Sequence, residues 1–331
     1  MSARLVAGFV LLGAAIGLAL LVWPQALGLE RTPIFAHAVA LRTFAAIAAV
    51  VLAVGFVVLA AVARPVRLLA SALAMLLVLF AGATSSIALD RGIVNSGVTD
   101  LTTDVTVLTW NTLEDGPGAA AIAELVLREE GDIVSLPETS RALGEEVAAL
   151  VEAERPMTVL NLDYGEATSR STTLLVSTVL GEYRVNEDAP ATAVLPTLVA
   201  VPVDGTGPTI VAVHTLAPIP PMIAAWEADL RIVAEMCSDD SVILAGDFNA
   251  TVDHFAGLGT LPKAQLGRCT DAALAGDSAG LGTWPTWLDP PLGSPIDHVL
   301  ATPNWRVLAV RVADDSGSDH RPLVVQLDPP G

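Results

Sequence analysis

Apolar residues run almost without interruption through the first 89 positions. The stretches Val6–Trp23, Thr43–Ala63 and Leu68–Leu89 contain no Asp, Glu, Lys or Arg, and each is about long enough to cross a hydrocarbon core of roughly 30 Å. They predict three transmembrane helices. The first stretch also fits the apolar core of a cleaved signal peptide, but it lacks a small-residue cleavage site and two further spans follow it, which favours a span. Past residue 89 the pattern changes. Residues 90–103, with Gly92, Ser96 and Gly97, are polar and predict a tether. Short apolar runs then predict strands at Val105–Trp110, Asp132–Leu136, Met157–Leu162, Thr172–Ser177, Leu198–Val203, Ile210–His214, Val242–Ala245, Ile296–Ala301, Arg306–Val312 and Leu323–Leu327. Helical spacing falls at Pro117–Glu130, with Pro at its start and Gly131 just past its end, at Arg141–Glu154 and at Pro221–Cys237. Many strands and few helices predict an α/β fold, two packed sheets flanked by helices. A Rossmann sheet is disfavoured because no G-x-G-x-x-G turn follows a strand. The expected division is 1–89 as membrane anchor, 90–103 as linker and 104–331 as one folded domain, since about 240 residues suffice for a single sizeable core.

Charge sharpens this division. Residues 1–89 hold only Glu30 against five arginines, which leaves 12 basic and 35 acidic residues beyond them, a formal charge of −23. So acidic a domain repels long polyanions, because non-specific nucleic-acid binding is largely phosphate neutralisation by Lys and Arg. The sole lysine is Lys263 and no basic cluster occurs. Solubility is an equally good reason for the charge. High Ala and Arg with one Lys suggests a GC-rich bacterial genome. Arg4, Arg64 and Arg67 fall on one side of the three spans, so the positive-inside rule places the N-terminus in the cytoplasm and the domain after Leu89 outside the plasma membrane. Arg42, near the outer end of the second span, counts against this orientation. Cys237 and Cys269, the two cysteines, both lie in the part placed outside; one disulfide fits an oxidising compartment, and two buried thiols are the competing reading.

The candidate chemistry sits at the ends of the apolar runs. Asn111 closes the first strand and Glu138 the second, where a carboxylate can hold a hard cation such as Mg²⁺; a turn-forming Asn and a helix-starting Glu are the structural alternatives. His214 closes Ile210–Val213. In Asp247-Phe248-Asn249 an extended segment puts Asp247 and Asn249 on one face and Phe248 in the core. The Asp can orient or deprotonate a water and the Asn amide can donate to a phosphoryl oxygen; an Asx turn is the alternative. Asp297-His298 and Asp319-His320 supply further carboxylates and imidazoles, and an Asp that hydrogen-bonds a His sets its tautomer and raises its basicity. Thr283-Trp284-Pro285-Thr286-Trp287 offers either core packing or an aromatic platform.

The order Trp110-Asn111, Leu136-Pro137-Glu138, Val213-His214, Gly246-Asp247-Phe248-Asn249-Ala250, Ile296-Asp297-His298 and Gly317-Ser318-Asp319-His320-Arg321-Pro322 resembles the endonuclease/exonuclease/phosphatase superfamily over about residues 104–328. The resemblance implies a four-layer α-β-β-α sandwich that hydrolyses phosphate esters by direct attack of water with Mg²⁺, with Mn²⁺ or Ca²⁺ as alternatives. It implies Glu138 as principal metal ligand with Asn111 and Asp319 beside it. Asp247 would orient the water and Asn249 stabilise the transition state. His320, paired with Asp297, would act in acid/base catalysis or phosphate binding, and His214 would contact the phosphate. Pro137 stands where the family often has Gln, and no basic residues for gripping DNA are identifiable. The substrate classes left open are nucleic acid, a lipid head group or a small phosphoester, with membrane lipid as the other partner and no protein partner indicated. A catalytically silent phosphate-binding member, and three helices acting as a sensor, are the rival readings.

Overall fold

A computed structural model of the chain describes residues 3–95 and 105–329. Most of the expected tether, residues 96–103, lies outside the described residues. The chain forms two compact units, residues 1–91 and 92–331.

The first unit is helical, with α1 (Ala3–Val22), a short α2 (Phe35–Ala40), α3 (Arg42–Val62) and α4 (Arg67–Asp90). Three of its helices are long and apolar enough to cross a membrane. Ala46 and Ala49 of α3 pack with Phe80 and Ala81 of α4 and with Leu18, Leu21 and Val22 of α1. Alanines at these contacts let the helix backbones approach closely, the means by which helices associate where apolar solvent removes the hydrophobic drive.

The second unit contains β1 (Val105–Thr109), α5 (Gly118–Arg128), β2 (Ile133–Pro137), α6 (Arg141–Val151), β3 (Met157–Asp163), β4 (Ser171–Ser177), β5 (Tyr183–Val185), β6 (Leu198–Pro202), β7 (Thr209–His214), α7 (Ile223–Met236), β8 (Val242–Asp247), β9 (Thr270–Asp271), α8 (Ala272–Ala275), β10 (Asp297–Ala301), β11 (Arg306–Val312) and β12 (Leu323–Asp328). All ten expected strands and three expected helices of this part are present, with ends shifted by a few residues. Each strand alternates its side chains between two faces. Val105, Val107, Ile133, Leu174 and Val176 of one sheet meet Leu198, Ala200, Ile210, Ala212, Ile243 and Ala245 of the other in the central core. The outer face of the first sheet, with Leu108, Val134, Leu136 and Leu175, packs on Ile122, Leu125 and Val126 of α5 and on Val147 and Val151 of α6. Helix α7 buries Trp226, Leu230 and Val233. The architecture is the four-layer α/β sandwich.

Sheet order brings distant residues to one rim. The first sheet runs β11-β12-β1-β2-β4-β3 and the second β5-β6-β7-β8-β10-β9. Strands β1 and β2 are parallel, as are β7 and β8, so the C-terminal ends of all four carry Asn111, Glu138, His214 and Asp247. Strands β12 and β10 run antiparallel to these, with Leu323 opposite Thr109 and Asp297 opposite Asp247. Their N-terminal ends, carrying Asp319-His320 and Asp297, therefore reach the same rim. Ser135 of β2 donates a 2.8 Å hydrogen bond to the Ala245 carbonyl of β8, which ties the two sheets together just below it.

Candidate active site

Asn111 links the two halves of the site. Its Nδ2 donates to Glu138 Oε1 and to Asp247 Oδ2, each at 3.1 Å. Its Oδ1 accepts from the Leu113 backbone N–H at 3.0 Å. That N–H sets which way the amide faces, so Asn111 turns its donors to the carboxylates while Oδ1 keeps a second lone pair. Asn111, expected beside the metal ligands, bridges two carboxylates that would otherwise repel one another.

Glu138 holds a left-handed backbone, φ 56°, which a non-glycine residue adopts only where its surroundings enforce it. Thr112 Oγ1 donates to the Glu138 carbonyl at 2.8 Å. Ser171 Oγ and Thr173 Oγ1 both donate to the Thr139 carbonyl at 2.8 Å. Buried Asn161 in turn donates to each of these hydroxyl oxygens at 2.9 Å. Burial raises the Glu138 carboxyl above its ordinary range; the Asn111 hydrogen bond and the His320 charge oppose that rise, and the nearby charge of Asp319 adds to it.

The segment around Asp247 is a turn. Strand β8 ends at Asp247, and Asn249 is left-handed with φ 47°, so the expectation of an extended Asp247–Asn249 segment is not met. The Asn249 backbone N–H donates to Asp247 Oδ1 at 2.8 Å, an Asx turn. The turn still brings both side chains together: Asn249 Nδ2 donates to the Thr215 carbonyl at 2.9 Å and to Asp247 Oδ2 at 3.3 Å. Phe248 is fully buried, as expected. Gly246 is required here. A Cβ on it would lie 1.9 Å from the Val213 carbonyl oxygen.

His320 and Asp297 form a pair, Nδ1 to Oδ2 at 2.8 Å, and His320 Nε2 faces Asp247 Oδ2 at 3.8 Å. Burial by itself would lower the imidazole, but the Asp297 and Asp247 charges push it well above the usual histidine range. Burial raises Asp247 in turn. His214 Nε2 lies 3.9 Å from Glu138 Oε1, and burial, reinforced by the His320 charge, drives this imidazole down to about 3. His214 is therefore neutral and His320 cationic at neutral pH.

Asp319 is positioned by residues whose part the sequence reading did not assign. Trp284 Nε1 donates to Asp319 Oδ2 at 2.9 Å, and the Thr286 N–H donates to the Asp319 carbonyl at 2.9 Å. Thr283 Oγ1 accepts from the Asp297 N–H at 3.2 Å. The Thr283–Trp287 stretch thus orients the carboxylates, while Trp287 at its end is 77% exposed. Trp110 Nε1 donates to the His320 carbonyl at 2.9 Å, and Ser318 Oγ to the Asn111 carbonyl at 2.7 Å. The signal available in the sequence was the Trp beside Asn111 and the Trp-Pro ahead of Asp297, since a buried indole N–H needs an acceptor. Arg321 is turned away from the site, donating to the carbonyls of Pro285, Thr286 and Leu288.

Two donor sets are available to a cation. Asp247, Asp297 and His320 have ligand atoms within 4.8 Å of one another. His320 Nδ1 is already paired with Asp297 at 2.8 Å, so its Nε2, facing Asp247, is the nitrogen left to this group. Glu138 and Asp319 offer hard carboxylate oxygens, and Asp319 Oδ1 is buried without a hydrogen-bond partner among the described residues. An unpartnered buried carboxylate oxygen near a second carboxylate fits a hard divalent cation. Asp297 Oδ1 and His214 Nδ1 are likewise buried and unpartnered.

This constellation at the shared rim of a two-sheet sandwich defines a class. The family model described as the endonuclease/exonuclease/phosphatase family matches residues 108–320, and the chain belongs to that family. A humanised TDP2 of D. rerio carrying 14 mutations is similar in structure, with a TM-score of 0.53, 16% identity, and 68% of this chain and 99% of that chain covered. An endonuclease/exonuclease/phosphatase from Beutenbergia cavernae has a TM-score of 0.51 at 21% identity, covering 69% of this chain and 72% of its own. One from Bacteroides vulgatus has a TM-score of 0.51 at 17% identity, covering 69% and 100%. These likenesses concern the fold. No curated protein sequence matches the chain.

Proposed function

We propose that the chain is a membrane-anchored phosphoester hydrolase that depends on a divalent cation, Mg²⁺ or a similar ion. Residues 1–89 would act as a three-span anchor, 90–103 as the link and 104–331 as a catalytic domain outside the cytoplasm. The observation that carries the reading is the convergence of Asn111, Glu138, His214, Asp247, Asn249, Asp297 and His320 at one rim, joined by contacts of 2.8–3.9 Å, with Asp319 next to His320 in the chain and its charge felt at Glu138. Glu138 and Asp319 would hold the cation, which when bound polarises a phosphoryl oxygen and stabilises developing charge. Asp247, its carboxyl raised by burial, accepts a proton from an attacking water that it orients. Asn249, one amide N–H anchored on the Thr215 carbonyl, turns the other from Asp247 Oδ2 at 3.3 Å to a phosphoryl oxygen. His320, held cationic by Asp297, binds the scissile phosphate and can return a proton to the leaving oxygen. Neutral His214, with Nε2 facing Glu138 across 3.9 Å, offers a further contact to the phosphate. The −23 charge of the domain favours a lipid head group or a small phosphoester over long nucleic acid.

The test is hydrolysis of bis(p-nitrophenyl) phosphate by the full chain in detergent, with Mg²⁺ or with chelator, beside His320→Ala and Asp247→Ala. Metal-dependent turnover that falls by at least about 100-fold in both variants is expected. Turnover that survives chelation or either substitution overturns the reading, and phosphate binding without turnover turns it into that of a silent binder.

A further inference from the structure

A second buried Asp–His pair lies behind the site, and no step above uses it. His298 follows Asp297 on β10, so the two side chains leave opposite faces of the strand. His298 is 1% exposed. Its Nδ1 lies 2.7 Å from Asp271 Oδ2 and its Nε2 lies 2.8 Å from the Ala250 carbonyl oxygen. A carbonyl can only accept, so Nε2 carries a hydrogen and donates it. Phe248 and Phe255 close over the ring edge-on, with centroids 5.4 and 5.1 Å away.

Ala250 is the residue after Asn249. The left-handed turn at Asn249 is therefore gripped on both sides, with Thr215 Oγ1 donating to the Phe248 carbonyl and His298 Nε2 donating to the Ala250 carbonyl. Asp271 is itself held. Its Oδ1 accepts from the Leu274 N–H at 2.7 Å, its own N–H donates to Gln265 Oε1 at 2.8 Å, and β9 pairs with β10 at Leu300. Cys269, just ahead of β9, is joined by a disulfide to Cys237 at the end of α7. A rigid frame thus ends on the imidazole that touches the turn.

We propose that His298, oriented by Asp271, is a positioning residue whose Nε2–H fixes the Ala250 carbonyl and so aims the Asn249 amide and the Asp247 carboxylate. This rests on the hydrolase reading above, because aim matters only where those two groups act on a phosphate. An error of about 1 Å in such groups can cost 100-fold in rate.

The experiment uses the full chain in detergent and compares native protein with His298→Leu, His298→Gln and Asp271→Asn. The readouts are kcat and KM on bis(p-nitrophenyl) phosphate, thermal melting, and hydrogen–deuterium exchange over residues 246–252. His298→Leu removes the donor at similar size, and kcat is expected to fall about 10- to 100-fold with KM within about twofold. Asp271→Asn leaves a neutral imidazole that can accept at Nδ1 and still donate from Nε2, so it is expected to keep kcat within about threefold. A merely structural pair would lower the melting temperature in both variants and leave kcat per folded molecule alone; that result overturns the proposal. If His298→Leu does not fold, His298→Met, which also lacks the donor, decides by the same split, while His298→Gln, which keeps an N–H donor, is expected to hold kcat within about threefold. If the native chain hydrolyses nothing, the hydrolase reading fails separately, and faster exchange at 246–252 in the folded His298 variant still supports the grip, whereas unchanged exchange refutes it.

Discussion

Glu138 and Asn249 share an uncommon feature: each non-glycine side chain at the rim sits on a left-handed backbone, with φ 56° and 47°. Such conformations cost on the order of 1–3 kcal/mol and persist only when neighbours over-determine them. Hydroxyls of Thr112, Ser171 and Thr173 and the imidazole of His298 do so here. The two imidazoles of the candidate site differ as sharply as the backbones. His320 faces two carboxylates and is held cationic, so Asp297→Asn is expected to lower kcat by at least about 100-fold, as steady-state kinetics with a chromogenic phosphodiester would register. His214 is neutral because folding buries it. Its folded pKa of about 3 lies below the ordinary 6.5, so the unfolded chain binds a proton that the native chain refuses between those values. The stability His214 contributes is full above about 6.5 and is lost as pH falls, at about 1.4 kcal/mol per pH unit. Urea unfolding from pH 7 to 5 should show this slope in the native chain relative to His214→Asn.

At the scale of the elements, close backbone approach decides which positions must be glycine. The crowding at Gly246, where φ is 156°, predicts that Gly246→Ala will cost more than about 2 kcal/mol and will displace Asp247 beside it. Denaturant melting and activity together would reveal both effects. Helix α5 gives a different lesson. Gly131 stands just past its end, as expected, yet Glu130 takes the positive φ, 54°, and the Gly131 N–H donates to the Val126 carbonyl. Gly131 is needed for packing instead, since a Cβ there would come within 2.9 Å of Leu108. Strand β9 and helix α8 were not foreseen because two and four residues are too few to develop a period.

For the molecule as a whole, a covalent tie reinforces a core built from non-local pairings. The Cys237–Cys269 disulfide, Cα to Cα 6.0 Å, closes a loop of 32 residues. In the chain-entropy model a loop of that length is worth about 3–4 kcal/mol, so Cys237→Ser with Cys269→Ser should lower stability by about that amount in calorimetry. Because Cys269 precedes Asp271 by two residues, the same substitution should also loosen the frame behind the Asn249 turn. Among the two readings of these cysteines, the pair of free thiols is set aside by the structure.

Composition and periodicity were enough to separate three apolar helices from a strand-rich domain, because long unbroken apolar runs and short runs bounded by turns are different hydrophobic patterns. Polar residues at strand ends marked most of the rim, since several apolar runs end in turn on Asn, Glu, His and Asp. Which of those residues touch was decided by tertiary structure alone. The parallel pairs β1/β2 and β7/β8 turn four C-terminal ends toward one rim. The inward-facing amide of Asn111, the Trp284 donor to Asp319 and the second Asp–His pair each join residues at least 27 positions apart. No local pattern encodes such a contact, because its direction depends on how sheets and loops pack around it.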